Sequence, residues 1–193
     1  MVAADLIRPK THVGAFAYDV LLIVTGSLAV ALSALIQIRL PFTPVPITAQ
    51  TLAVLLIGAL LGSRRGGLTL VAYLAEGLAG LPVFSGGGFG LAHLLGPTGG
   101  YLIGFAAAAY ATGWLAERGW DRRTLTAFGA MTLGNLVIYA FGASWLALLV
   151  GANHALALGV APFIVGDVLK IAIGTALLPL GWRGLSKLGL PTP

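Results

Sequence analysis

Long apolar runs, each closed by glycine, proline or a cluster of arginines, set the pattern of this chain. The first covers 20–38 without a charge, enough for a helix to cross a bilayer. Ser27 and Ala31, four apart, put small side chains on one face of it, which either packs on the chain's own helices or docks a partner subunit. Arg39-Leu-Pro-Phe-Thr-Pro-Val-Pro46 then forbids a helix and predicts a stiff extended connection. Thr48 is a fitting N-cap for a second span, 49–61, with Gln50 in its first turn. A basic turn leads to a third span, 66–78, with Glu76 near its end. The stretch 80–90 has no helical preference, and such backbone survives at membrane depth only where protein buries it or it lines a cavity. Pro97 opens a fourth span, 98–116, and a fifth, 124–141, carries Asn135 near its middle. Gly142-Ala-Ser-Trp145 breaks the pattern, so 145–157 reads as an interfacial or re-entrant half-helix. The sixth span is 162–180.

Composition agrees with a membrane protein. Only 9% of residues are charged, where a soluble domain has about 25%. Without strict alternation, the runs favour helices over a barrel. The expectation is an all-α integral membrane protein, one transmembrane domain over 1–193, in the cell membrane and in contact with lipid. The first run continues past Ala31, which favours a retained span over a cleaved signal peptide. Six spans put Arg8, Lys10, Arg64, Arg65, Arg118, Arg122, Arg123, Arg183 and Lys187 on one side and only Arg39 on the other. The positive-inside rule then makes both termini cytoplasmic. The net charge of +5 is accounted for by this topology and does not imply nucleic acid.

Asp167 and Lys170 stand out as an acid and a base well inside an apolar segment. Spaced i, i+3, they share a helix face. A lone charge at mid-bilayer costs roughly 2.5–3.5 kcal/mol, so such a pair either lines a binding site or ties two helices together. Asn135 has the same two readings, a neighbouring helix or a ligand. Catalysis has little support. Ser85 and His93 lack a third orienting group, no Walker sequence exists, and the three histidines are too scattered to be metal ligands. No cofactor is expected, and a solute-binding membrane protein remains.

Five motifs then carry a resemblance. Pro44-Val-Pro-Ile-Thr-Ala-Gln-Thr51, Leu60-Leu-Gly-Ser-Arg64, Gly80-Leu-Pro-Val-Phe84, Gly96-Pro-Thr-Gly-Gly-Tyr101 and Gly166-Asp-Val-Leu-Lys170 resemble, in order, the signatures of the BioY family. Its members are the biotin-specific substrate-binding components of energy-coupling-factor transporters. The resemblance implies six helices, capture of biotin from outside, and partners: a transmembrane coupling subunit and two ATPase subunits. It implies that Asp167 accepts the ureido N–H groups of biotin while Lys170 donates to the ureido oxygen. A second allocation has Lys170 meeting the tail carboxylate, with the backbone of Gly86, Gly87 and Gly88 and the helix start at Thr98 holding the other end. Gln50 and Tyr101 are further candidates by their motifs. Phe84, Phe89 and Trp145 are candidate walls for the apolar rings. One departure is clear: family members carry a polar side chain such as Asn in the loop that reads Ser85-Gly-Gly-Gly-Phe89 here. Ser85 or backbone groups must replace it. Alternatives to this function are a stand-alone permease and a component for another carboxylated vitamin.

Overall fold

The computed structural model describes residues 1–189; the last part of the domain expected over 1–193, residues 190–193, lies outside the described residues. The chain is mostly helical. Its helices are α1 (His12–Leu35), α2 (Gln50–Leu61), α3 (Ser63–Leu78), α4 (Gly90–Leu94), α5 (Gly99–Glu117), α6 (Thr124–Val150), α7 (Ala152–Gly159) and α8 (Ile164–Lys187). Three helical stretches, His12–Leu35, Thr124–Val150 and the run Ala152–Lys187, are long and apolar enough to cross a membrane. A two-stranded ribbon, β1 (Gln37–Ile38) paired antiparallel with β2 (Ile47–Thr48), pinches the Pro-rich connection into a loop. One end of the bundle carries Arg64, Arg65 and Arg118 and is called the basic end; the Pro-rich loop marks the loop end.

α5 is the central helix, packed on α6, α2 and α3. Its neighbours approach closely because the contact residues are small. Gly58 of α2 faces the Ala109 backbone of α5, and Gly66 of α3 faces Gly58, so any side chain there would meet main chain. α1 leans on α3 through Gly26, Ser27 and Val30. Ser27 is fully buried and donates to Glu76 at 2.7 Å. Of the two expected readings, Ser27 follows internal packing, while Ala31 beside it is half-buried.

Several boundaries move for identifiable reasons. α1 starts at His12, where Thr11 Oγ1 accepts from Gly14 N, and runs through Asp19, its one internal acid, which is paired with Arg8 and Arg65. α6 does not stop at Phe141 but runs to Val150. Gly142 is no breaker; it is the notch that accepts the Tyr101 ring. The break falls at Gly151, where φ of +86° suits glycine, and only 152–159 forms a separate short helix. α8 continues through Pro179 to Lys187, past the expected end of the sixth span at 180. α2 has 12 residues, about 18 Å, against a hydrocarbon core of about 30 Å. The Pro-rich loop leads into α2, so irregular backbone lies beside a cavity.

Candidate ligand-binding site

α2, α6 and α8 converge on one carboxylate. Asp167 lies in the first turn of α8 and is 4% exposed. Its Oδ1 accepts from Lys170 Nζ at 2.9 Å and from Thr51 Oγ1 at 3.3 Å. Its Oδ2 accepts from Asn135 Nδ2 at 3.3 Å and from the Tyr139 hydroxyl. Lys170 also donates to Thr51 at 3.0 Å. Both charges are thus paired and hydrogen-bonded, the condition for keeping ions out of water. Asn135 and Tyr139, four apart, reach the same acid because they share a face of α6.

This cluster floors a narrow cavity of about 50 Å³. Phe105, Ile138, Phe163, Val45 and the Tyr101 ring form apolar walls. Thr48, Gln50, Ser85 and Thr98 add a few polar points, the usual composition of a small-molecule site. Gln50 has a fixed orientation. The Tyr73 hydroxyl spends its one proton on Val83 O at 3.0 Å, so it must accept from Gln50 Nε2 at 2.7 Å. Gln50 Oε1 is then the acceptor left to the cavity. Thr48 Oγ1 accepts from Gln50 N at 3.3 Å, but the N-cap of α2 is Ala49, so Thr48, the expected cap, stands one residue ahead of the cap position. The Tyr101 hydroxyl donates to Gly159 O at 2.7 Å, tying α5 to the end of α7.

The expected residues separate into two groups. Asp167, Lys170, Gln50, Tyr101 and Ser85 line the cavity, and Asn135 stands behind Asp167. Gly86, Gly87 and Gly88 do not; they form a turn closed by Phe84 N donating to Gly88 O at 3.0 Å. Phe84 is fully buried outside the cavity, over Gly77 and between Tyr73 and His93, where it anchors the loop to α3. Phe89 is 57% exposed. Trp145 belongs to α6 and donates to Gly96 O at 2.9 Å, on the far side of α5 from the cavity floor. These three aromatics are therefore not walls of this cavity. Tyr139, Thr51, Phe105 and Phe163 were not foreseen. Two signals were available: Tyr139 is one turn from Asn135, and Thr51 ends the first motif.

The profile of the BioY family matches residues 8–187. The chain belongs to the BioY family. A probable biotin transporter BioY of Pyrococcus horikoshii is 46% identical over 136 residues, covering 70% of this chain and 80% of the relative. The biotin transporter BioY of Rhizobium etli is 41% identical over 160 residues, 79% of this chain and 86% of that one. Among solved structures, the S-component for biotin from an ECF-type ABC transporter superposes with a TM-score of 0.76. It is 26% identical and covers 91% of this chain and 95% of that one.

Proposed function

We propose that this BioY-family chain is the biotin-binding S component of an energy-coupling-factor transporter. The observation that carries the reading is the charge-balanced Asp167–Lys170 pair at the floor of a cavity with largely apolar walls and a few polar points. Biotin's ureido ring offers two N–H donors and one carbonyl. Gln50 Oε1 and Asp167 accept the N–H groups, the latter by displacing its two longest contacts, Thr51 and Asn135 at 3.3 Å. Lys170 has three donors and uses two within the cluster, so one remains for the ureido oxygen. Phe105, Phe163 and Ile138 pack on the sulfur ring and chain.

In this reading α1, α2, α3, α5, α6 and α8 cross the membrane, with the basic end and both termini in the cytoplasm. The cavity then opens outward, and a coupling subunit with two ATPases drives release. Biotin binding to the detergent-solubilised protein tests this. Asp167→Asn and Lys170→Ala should each weaken binding by at least ~10-fold, about 1.4 kcal/mol. Unchanged affinity in both would make the pair structural, and no binding by folded wild type would remove biotin as the ligand.

A further inference from the structure

Above the narrow cavity lies a wider vestibule of about 450 Å³, and Pro46, Ser85 and Thr98 belong to both. Arg39, Gln37, Thr43 and His93 line it further out. Arg39 is exposed and makes no ion pair among the described residues. The chain has six acids, and all six are engaged elsewhere: Asp5, Asp19 and Asp167 in ion pairs, Glu76 with Ser27, Glu117 with Ser63 and Asp121 with Trp182. Arg39 is thus an uncompensated positive charge at the mouth of the cavity.

The glycine loop is shaped around this charge. A Cβ placed on Gly86 would collide with Arg39 Nη2 and come within 3.5 Å of Gln37 Nε2. Gly86 also sits at φ +71°, where larger residues are strained. The guanidinium therefore occupies space that a side chain in the loop would fill. Beside it, Gln37 Oε1 is buried and finds no donor, so this corner holds polar groups that are not satisfied internally.

The cavity floor has the opposite character. Asp167 and Lys170 cancel, and the carboxylate already accepts four hydrogen bonds. A neutral polar head group fits there. A second carboxylate would be a like charge beside Asp167 in a low-dielectric site. We propose that Arg39 is the carboxylate subsite: the ligand's neutral head lies on the Asp167–Lys170 floor while its acid tail reaches the vestibule and pairs with the guanidinium over Gly86. This rests on the biotin reading, and it assigns the two ends of the ligand.

Binding of biotin and of its neutral carboxamide to wild type, Arg39→Gln and Arg39→Lys tests the assignment. Wild type should prefer the acid by about 5-fold or more, the range of a partly exposed, charge-assisted contact. Arg39→Gln should lose that preference while keeping the carboxamide affinity, and Arg39→Lys should restore part of it. Gly86→Asn, which pushes the guanidinium aside, should weaken biotin more than the carboxamide. Equal wild-type affinities, a preference that survives Arg39→Gln, or equal loss of both ligands in Arg39→Gln would each overturn the subsite. Wild type that binds neither compound would instead remove biotin itself, and the subsite with it.

Discussion

The two ends of the bundle use charge in opposite ways. At the basic end, Arg65 bridges Asp5 at 2.6 Å and Asp19 at 3.0 Å, and Arg8 meets Asp19 at 2.6 Å. These side chains are 15–42% exposed and lie where water and salt reach them. Toward the loop end, Asp167 is nearly sealed and its one cation sits on the next turn of the same helix. The first arrangement fastens the N-terminal segment to α1 and α3. The second keeps a dipole ready inside an apolar wall. Ion pairs of similar length therefore contribute differently, because desolvation decides what a broken partner costs.

The sharpest test of that contrast removes one partner at a time. Lys170→Met leaves Asp167 without its cation and should cost ~3–5 kcal/mol of stability, read as thermal unfolding in detergent. Adding Asp167→Asn should recover much of the loss, so the double variant is more stable than Lys170→Met alone. Costs that simply add would mean the pair is solvated, like the pairs of the basic end.

An intermediate effect is expected where a carboxylate of the basic end caps a buried helix start, at Ser63. Glu117, at the end of α5, accepts from Ser63 N at 2.7 Å and from Ser63 Oγ at 2.8 Å, capping α3 across the sharp Gly62 turn. Glu117→Ala should cost ~1–2 kcal/mol in the same unfolding measurement, the range of a lost helix cap. Glu117→Gln keeps a neutral acceptor and should recover part of it. Equal losses in both variants would show that charge, not the hydrogen bonds, holds the turn.

How much of this was legible differs between the two ends for a physical reason. The Asp167–Lys170 face, the non-helical loops and Gln50 were legible because each breaks a local rule: a charge in apolar sequence, or proline and glycine where a helix would otherwise run. Gly142 and Phe84 misled because their roles are tertiary. A glycine that admits the Tyr101 ring reads like a glycine that ends a helix. An aromatic sealed between Tyr73 and His93 reads like one that walls a ligand. The small size of Ser27 left packing and docking both open, and its hydroxyl is matched to Glu76 on another helix, which no local pattern announces. Tyr139 was among the residues not foreseen, although its i, i+4 relation to Asn135 marks a shared face.

The smallest expected effect separates the ends most cleanly. Arg65→Gln breaks the pairs to Asp5 and Asp19 and should cost only ~0.5–1 kcal/mol, shrinking as salt rises. It should also depend on pH. Burial pulls the Asp5 carboxyl up, but the Val2 N–H and Arg65 together outweigh it and hold it below its ordinary 3.8. A carboxyl depressed in the folded state stabilises above its unfolded value and loses that contribution as pH falls through its folded value. The gap between wild type and Arg65→Gln should therefore be full at neutral pH and narrow as pH falls below 3.8. Ligand affinity in Arg65→Gln should stay at the wild-type level, since the cavity lining includes no residue of the basic end. If added salt weakened the Asp167–Lys170 coupling as much as it weakened Arg65, the floor of the site would be as wet as the basic end, and the distinction between a fastening and a binding pair would fail.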